Sequence, residues 1–100
     1  MPKSTDFGRQ SSVLRSLAKN LETDLAFTRH AAKRMMQRQV TKLDVVAALR
    51  KGRVIDIALR EDETCWLTTG DDLDGRTLGI VVVPYPSEGV IKVITVYEPD

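Results

Sequence analysis

The apolar residues of this chain change their spacing at Gly52. Before it they recur every three or four positions, the repeat that gathers side chains on one face of a helix. After it they alternate or run together, as strand residues do. A chain of 100 residues holds one core. Helices first and strands second therefore predict an α+β fold, with N-terminal helices packed on a four-stranded antiparallel sheet.

Residues 1–10 are polar, contain Pro2 and Gly8 and show no period, so they read as an arm. A helix is expected over residues 11–22, with Val13, Leu17 and Leu21 as its stripe and Leu14 and Ala18 widening it. That stripe would dock on the domain or on a second copy, making a homodimer. Leu25, Ala26 and Phe27 form a short apolar run that could pair as an edge strand. Thr28 is placed to cap a second helix reaching about Gln39. Thr41 is placed to cap a third, with Asp44 at the capping-box position and Gly52 as the stop after its last turn. Ile55, Ile57 and Leu59 then alternate with Asp56, Ala58 and Arg60 as a half-buried strand. Cys65–Thr69, Leu78–Val83 and Val90–Tyr97 complete the sheet, with Leu78–Val83 as a central strand and Pro84–Gly89 as a loop. The expected organisation is an arm and helix over residues 1–23 and a single α+β domain over 24–100.

Charge is divided along the chain. Residues 1–52 carry eleven Lys or Arg against four Asp or Glu, a net +7, and residues 53–100 carry four against ten, a net −6. A basic half suits a polyanion, and an acidic half can shield it or face a basic partner. No run approaches the ~18 apolar residues of a membrane helix, and the first residues lack the apolar stretch of a secretory signal. With Cys65 the single cysteine, neither a disulfide within the chain nor a cysteine-based zinc site is expected. The expected compartment is the cytoplasm, with no membrane association.

The second predicted helix carries the most chemistry. Ala31, Ala32, Met35 and Met36 would face the sheet. His30, Arg34 and Arg38, spaced four apart, form a stripe along the border of that arc. An imidazole can accept a proton near neutral pH and return it. Two guanidinium groups can grip a phosphate through paired hydrogen bonds and stabilise charge growing on its oxygens. Together they suit a phosphodiester site. A histidine near a helix start among ordinary surface arginines is the plainer alternative. Arg29 and Lys33 lie on the solvated side and extend the basic surface. On the last strand Ile91, Val93, Thr95 and Tyr97 should share one face, from which Thr95 and Tyr97 could bring hydroxyls towards the helix rim.

Other groupings say less. Asp71, Asp72 and Asp74 lack the spacing and closing Glu of a calcium hand and read as a turn. Cys65 and His30 could pair as thiolate and imidazole, although a small residue buried mid-strand is the simpler account. Trp66 and Tyr85 could stack on bases but are scattered, which favours packing. No metal site and no cofactor are expected.

The run Phe27-Thr28-Arg29-His30-Ala31-Ala32-Lys33-Arg34-Met35-Met36-Gln37-Arg38, the following Asp44-Val45-Val46-Ala47-Ala48-Leu49-Arg50-Lys51-Gly52 and the terminal Val93-Ile94-Thr95-Val96-Tyr97 resemble a bacterial domain-of-unknown-function family, number 4258. The resemblance covers roughly residues 24–100. It implies similarity to small toxin ribonucleases of the barnase, colicin and RelE-like kind, which cleave RNA without metal through the ribose 2′-hydroxyl. His30, Arg34, Arg38, Thr95 and Tyr97 would then be catalytic, and Arg29, Lys33, Arg34 and Arg38 would bind RNA. The expected partners are RNA and a cognate antitoxin protein. A non-catalytic module that holds RNA or protein on the same basic rim is the alternative.

Overall fold

A computed structural model describes residues 6–99. The elements run α1 (Gly8–Lys19), β1 (Asp24–Phe27), α2 (Arg29–Arg38), α3 (Lys42–Lys51), β2 (Arg53–Arg60), β3 (Glu63–Asp71), β4 (Thr77–Tyr85), one 3-10 turn (Pro86–Glu88) and β5 (Val90–Tyr97). The class is α+β. The sheet has five strands in the order β1-β5-β4-β3-β2. Strands β2 to β5 form the expected antiparallel meander. The correction is β1, which pairs parallel with the first half of β5, Leu25 opposite Ile91 and Phe27 opposite Val93. The sheet is therefore mixed. Four residues suffice because the strand docks on an existing edge while Leu25 and Phe27 pack against the core.

Helix α1 starts earlier than its spacing suggests and also stops earlier. Of the expected arm, residues 1–5 lie outside the described residues, and residues 8–10 are helical. Asp6 Oδ1 accepts the Gly8 N–H at 2.9 Å and so holds the first turn. At the other end Asn20 Oδ1 accepts the Glu22 N–H at 2.9 Å, so the side chain competes for the backbone and the helix ends at Lys19. Leu21 thus falls in a turn and is 89% exposed, and Val13 also faces solvent. The stripe that docks is Ser11, Leu14, Leu17 and Ala18. Since Leu17 and Leu14 are buried in the chain's own core, they are not free for a second copy.

Both remaining helices begin as their caps predict. Thr28 Oγ1 accepts the Ala31 N–H at 3.0 Å. Thr41 and Asp44 form a reciprocal capping box. One sheet face carries the core: Ile80 and Val82 of β4 and Ile91, Val93 and Val96 of β5 are buried with Leu14, Val45 and Leu49 of the helices. The β5 members are 91, 93 and 96, which breaks the alternation of a flat strand. Val82 pairs with Val93 but Val81 with Thr95, so Ile94 is the extra residue of a bulge. The bulge corrects the expected face of β5. Thr95 and Tyr97 are turned away from Ile91 and Val93, onto the face opposite the core. Strand β4 is central as expected and extends through Pro84 and Tyr85, because β3 pairs only as far as Val82 and leaves room for a proline without an N–H.

Candidate functional site

The sheet face opposite the core is the open one. Leu67, Val81 and Thr95 stand side by side across β3, β4 and β5 there. The hairpin joining β2 to β3 turns on Glu61 and Asp62, both in the left-handed region (φ 50° and 65°), a tight two-residue turn. It brings Arg60 and Glu63 opposite each other at the end of the sheet. Across from it, Thr28 ties the start of α2 to β5: its hydroxyl donates to the Ile94 carbonyl at 2.9 Å while accepting from Ala31. The result is a cavity of about 490 Å³ lined by His30, Arg60, Glu61, Glu63, Cys65, Ile94 and Thr95. Helix α2, strands β2, β3 and β5 and the β2–β3 turn, up to 65 positions apart in sequence, meet there, and His30 is exposed at its rim.

Glu63 is the anchored group of this cavity. Tyr85 Oη donates to its Oε2, and Lys92 Nζ donates to both carboxylate oxygens at 2.9 and 3.2 Å. The hydrogen bond from Tyr85, then that from Lys92, holds the Glu63 carboxyl below its ordinary range. The same contacts to Glu63 push the Lys92 ammonium and the Tyr85 hydroxyl up. Glu63 is thus a fixed carboxylate whose charge Lys92 offsets. Cys65 is buried beside it and makes one weak contact, its Sγ 3.9 Å from the Glu63 carbonyl oxygen.

The expected site residues separate. His30 and Thr95 share the cavity; Arg34, Arg38 and Tyr97 do not line it. Arg34 is exposed, with Nη1 3.4 Å from Gln37 Oε1 on its own helix. Arg38 is half-buried and its Nε is buried without a partner. Tyr97 lies over Gly79 on the open face, where burial pushes its hydroxyl up. The sheet-facing arc of α2 is also narrower than expected: Ala31 is buried and Met35 half-buried, but Ala32 is exposed and Met36 is 82% exposed. Arg29, Lys33 and Arg34 all face solvent. Arg60 and Glu63 flank a turn and carry no signal of their own in the sequence; the nearest is Cys65, two residues after Glu63, as a possible partner of His30.

The acidic turn behaves as a turn. The carboxylates that converge are Asp44, Asp72 and Asp74, with oxygens within 4.8 Å of one another. Each buried member is already occupied. Asp72 bridges Arg76 at 2.9 Å and accepts the Asp74 and Arg76 N–H groups. Asp44 accepts from Thr41 N–H and hydroxyl and from Leu73 N–H. Asp71 instead accepts from Thr77 Oγ1. Trp66 packs against the core, as its scattered position suggested.

The ion pairs among the described residues, Arg76–Asp72, Arg76–Glu98 and Lys92–Glu63, all join two residues of the acidic half. The basic helices are therefore not neutralised by it. No helix among the described residues is long and apolar enough to cross a membrane. A family model described as a domain of unknown function (DUF4258) matches residues 27–98. Neither a curated protein nor a solved structure matches.

Proposed function

The chain belongs to the DUF4258 family of unknown function, and from that premise we propose that the open face binds RNA and that the His30 cavity cleaves it in the manner of a small toxin ribonuclease. The observation that carries this reading is the meeting of His30, Thr95 and Arg60 in one cavity. In the proposed step the ribose 2′-oxygen bonds to the adjacent phosphorus and the bond from phosphorus to the 5′-oxygen breaks. A base takes the 2′-hydroxyl proton and an acid protonates the departing 5′-oxygen, leaving a cyclic phosphate and a 5′-hydroxyl. His30 serves as one of these, since imidazole exchanges protons near neutral pH. Arg60 grips the phosphate, since Arg34 and Arg38 do not line the cavity, and Thr95 donates a hydrogen bond from its hydroxyl. Arg29, Lys33 and Arg34 along α2 hold the neighbouring backbone. The same uncompensated basic surface suits an acidic antitoxin protein. Both Glu63 oxygens are engaged by Tyr85 and Lys92, which motivates a mechanism that needs no metal.

A second reading has one observation in its favour. Glu61 and Glu63 stand in the same cavity and repel a phosphate there, which suits a non-catalytic module that holds RNA or protein on the basic surface of α2 and leaves the cavity itself unused. Incubating the purified chain with a short RNA, the matching DNA and EDTA separates the two. The proposal expects RNA cleaved to a cyclic phosphate with EDTA present and DNA untouched. His30→Ala should lose about 10²–10⁴-fold in rate while melting within a few degrees of wild type, because the side chain is exposed. RNA bound but never cut supports the module. Full activity in His30→Ala, or activity abolished by EDTA, overturns the mechanism.

A further inference from the structure

Strand β2 is the outermost strand at the end of the sheet away from β1. The first part of its outer edge is covered, because Ser11 Oγ of α1 accepts the Val54 N–H at 2.8 Å. Beyond the irregularity between Val54 and Asp56, no described residue pairs with that edge as far as Arg60. The Ile57 N–H is satisfied only by the neighbouring side chain, Asp56 Oδ1, at 2.9 Å. Backbone groups point alternately to the two sides of an antiparallel strand, so Ile57 and Leu59 both turn N–H and C=O groups outward. Such an edge is a template for another strand.

The side chains along it have a self-complementary order. Asp56, Ala58 and Arg60 line a small cavity on the open face with Cys65 and Leu67. Asp56 and Arg60 thus share a face, and neither has an ion-pair partner among the described residues. Ile57 packs against the core from the other face, and Leu59, two positions on, is 73% exposed.

We propose that residues 56–60 of β2 pair antiparallel with the same residues of a second copy of this chain, about a two-fold axis at Ala58. In that register Ile57 of each copy stands opposite Leu59 of the other, so the outward N–H and C=O groups of both find partners. Asp56 of each copy stands opposite Arg60 of the other on the open face. The interface is isologous, and each favourable charge pair occurs twice. A two-fold at Ile57 would set Asp56 against Ala58 and Arg60 against Val54, leaving the charges unmatched and asking for an N–H that Ser11 already holds. The sequence of charges therefore selects both the register and the occupant. Arg60 is also the proposed phosphate grip of the His30 cavity, so the dimer is measured without RNA, where its failure leaves the reading of that cavity untouched.

Sedimentation of the full chain over a range of concentrations tests it, with melting curves beside it. Wild type should show a concentration-dependent dimer. Asp56→Lys or Arg60→Glu alone sets like charges opposite each other twice, so each should raise the dimer dissociation constant about tenfold. Leu59→Lys, at an exposed position, should weaken the dimer as well. Mixing Asp56→Lys with Arg60→Glu chains restores two opposite-charge pairs and should recover wild-type association. A wild type that is monomeric at every concentration overturns the proposal, as does a mixture no tighter than either variant alone.

Discussion

Gly52 and Gly70 sit back to back beneath the end of α3. Gly52 closes that helix, as its position predicts, but for a different reason: its φ is −78°, open to any residue. Space is what excludes a side chain. A Cβ at Gly52 would lie 2.7 Å from the Ala48 carbonyl oxygen and 2.8 Å from that of Thr69. At Gly70, inside β3 and not at its end, a Cβ would run into the same Ala48 carbonyl and approach the Gly52 Cα to 3.0 Å. Because the obstacles are backbone atoms, no rotamer change relieves them. Gly70→Ala should therefore cost about 1–3 kcal/mol as an overpacked site does. Urea unfolding should show a lower midpoint at an unchanged slope. Single residues were legible in part. His30 and Thr95 stood out by type and position, whereas Arg60 and Glu63 acquire meaning only from what faces them.

At the scale of elements, Thr28 shows how a local signal gains a second task. Its hydroxyl caps α2 through Ala31 and also donates to the Ile94 carbonyl, 66 positions away. The cap could be read from the sequence; the tether could not. Thr28→Ala should lose the capping contribution, typically about 0.5–2 kcal/mol, and loosen the start of α2 where His30 stands. Thr28→Ser keeps the hydroxyl and should stay close to wild type. Thermal melts of the pair check this; equal stability of the Ala and Ser variants would refute it. Strand β5 gives the complementary case. Strict alternation puts Thr95 with Ile91 and Val93, and the bulge at Ile94 moves it to the open face. A bulge leaves no mark in residue type here, since Val93, Ile94 and Thr95 are all good strand formers.

The whole molecule is held together in part by carboxylates kept ionised. Hydrogen bonds from the Thr41 backbone, and then from its hydroxyl and from Leu73, keep Asp44 below its ordinary 3.8 against burial and the repulsion of Asp72. For Asp72, burial pushes upward most strongly. The Arg76 backbone N–H, the Arg76 guanidinium and the Asp74 N–H together outweigh it, and its carboxyl also falls below 3.8. Glu63 is held below 4.5 by Tyr85 and Lys92. Depressed carboxyls stabilise the fold fully above their unfolded values, and that contribution is lost as pH falls through the lower folded values. The melting temperature should hold steady above pH 4.5 and fall steadily below about pH 4. Asp72→Asn, which gives up the bridge to Arg76, should be less stable near neutrality and show a shallower acid decline. Melts at graded pH test this, and an equal acid decline in the variant would show that Asp72 is not a source of it.

The sequence by itself determined where the three helices and the four strands of the meander begin and end, to within a few residues. It did so because caps, turns and hydrophobic period act between neighbours along the chain. It also determined the division into a basic and an acidic half. Tertiary structure decided that β1 joins β5 in parallel, that Thr95 leaves the core face, that β2 keeps an open edge, and that His30 shares a cavity with Arg60 and Glu63 that Arg34 and Arg38 do not line. These outcomes depend on which strand edges are left to be paired and on contacts between residues tens of positions apart. Such contacts form only when the sheet has closed over its core, and local spacing holds no record of them.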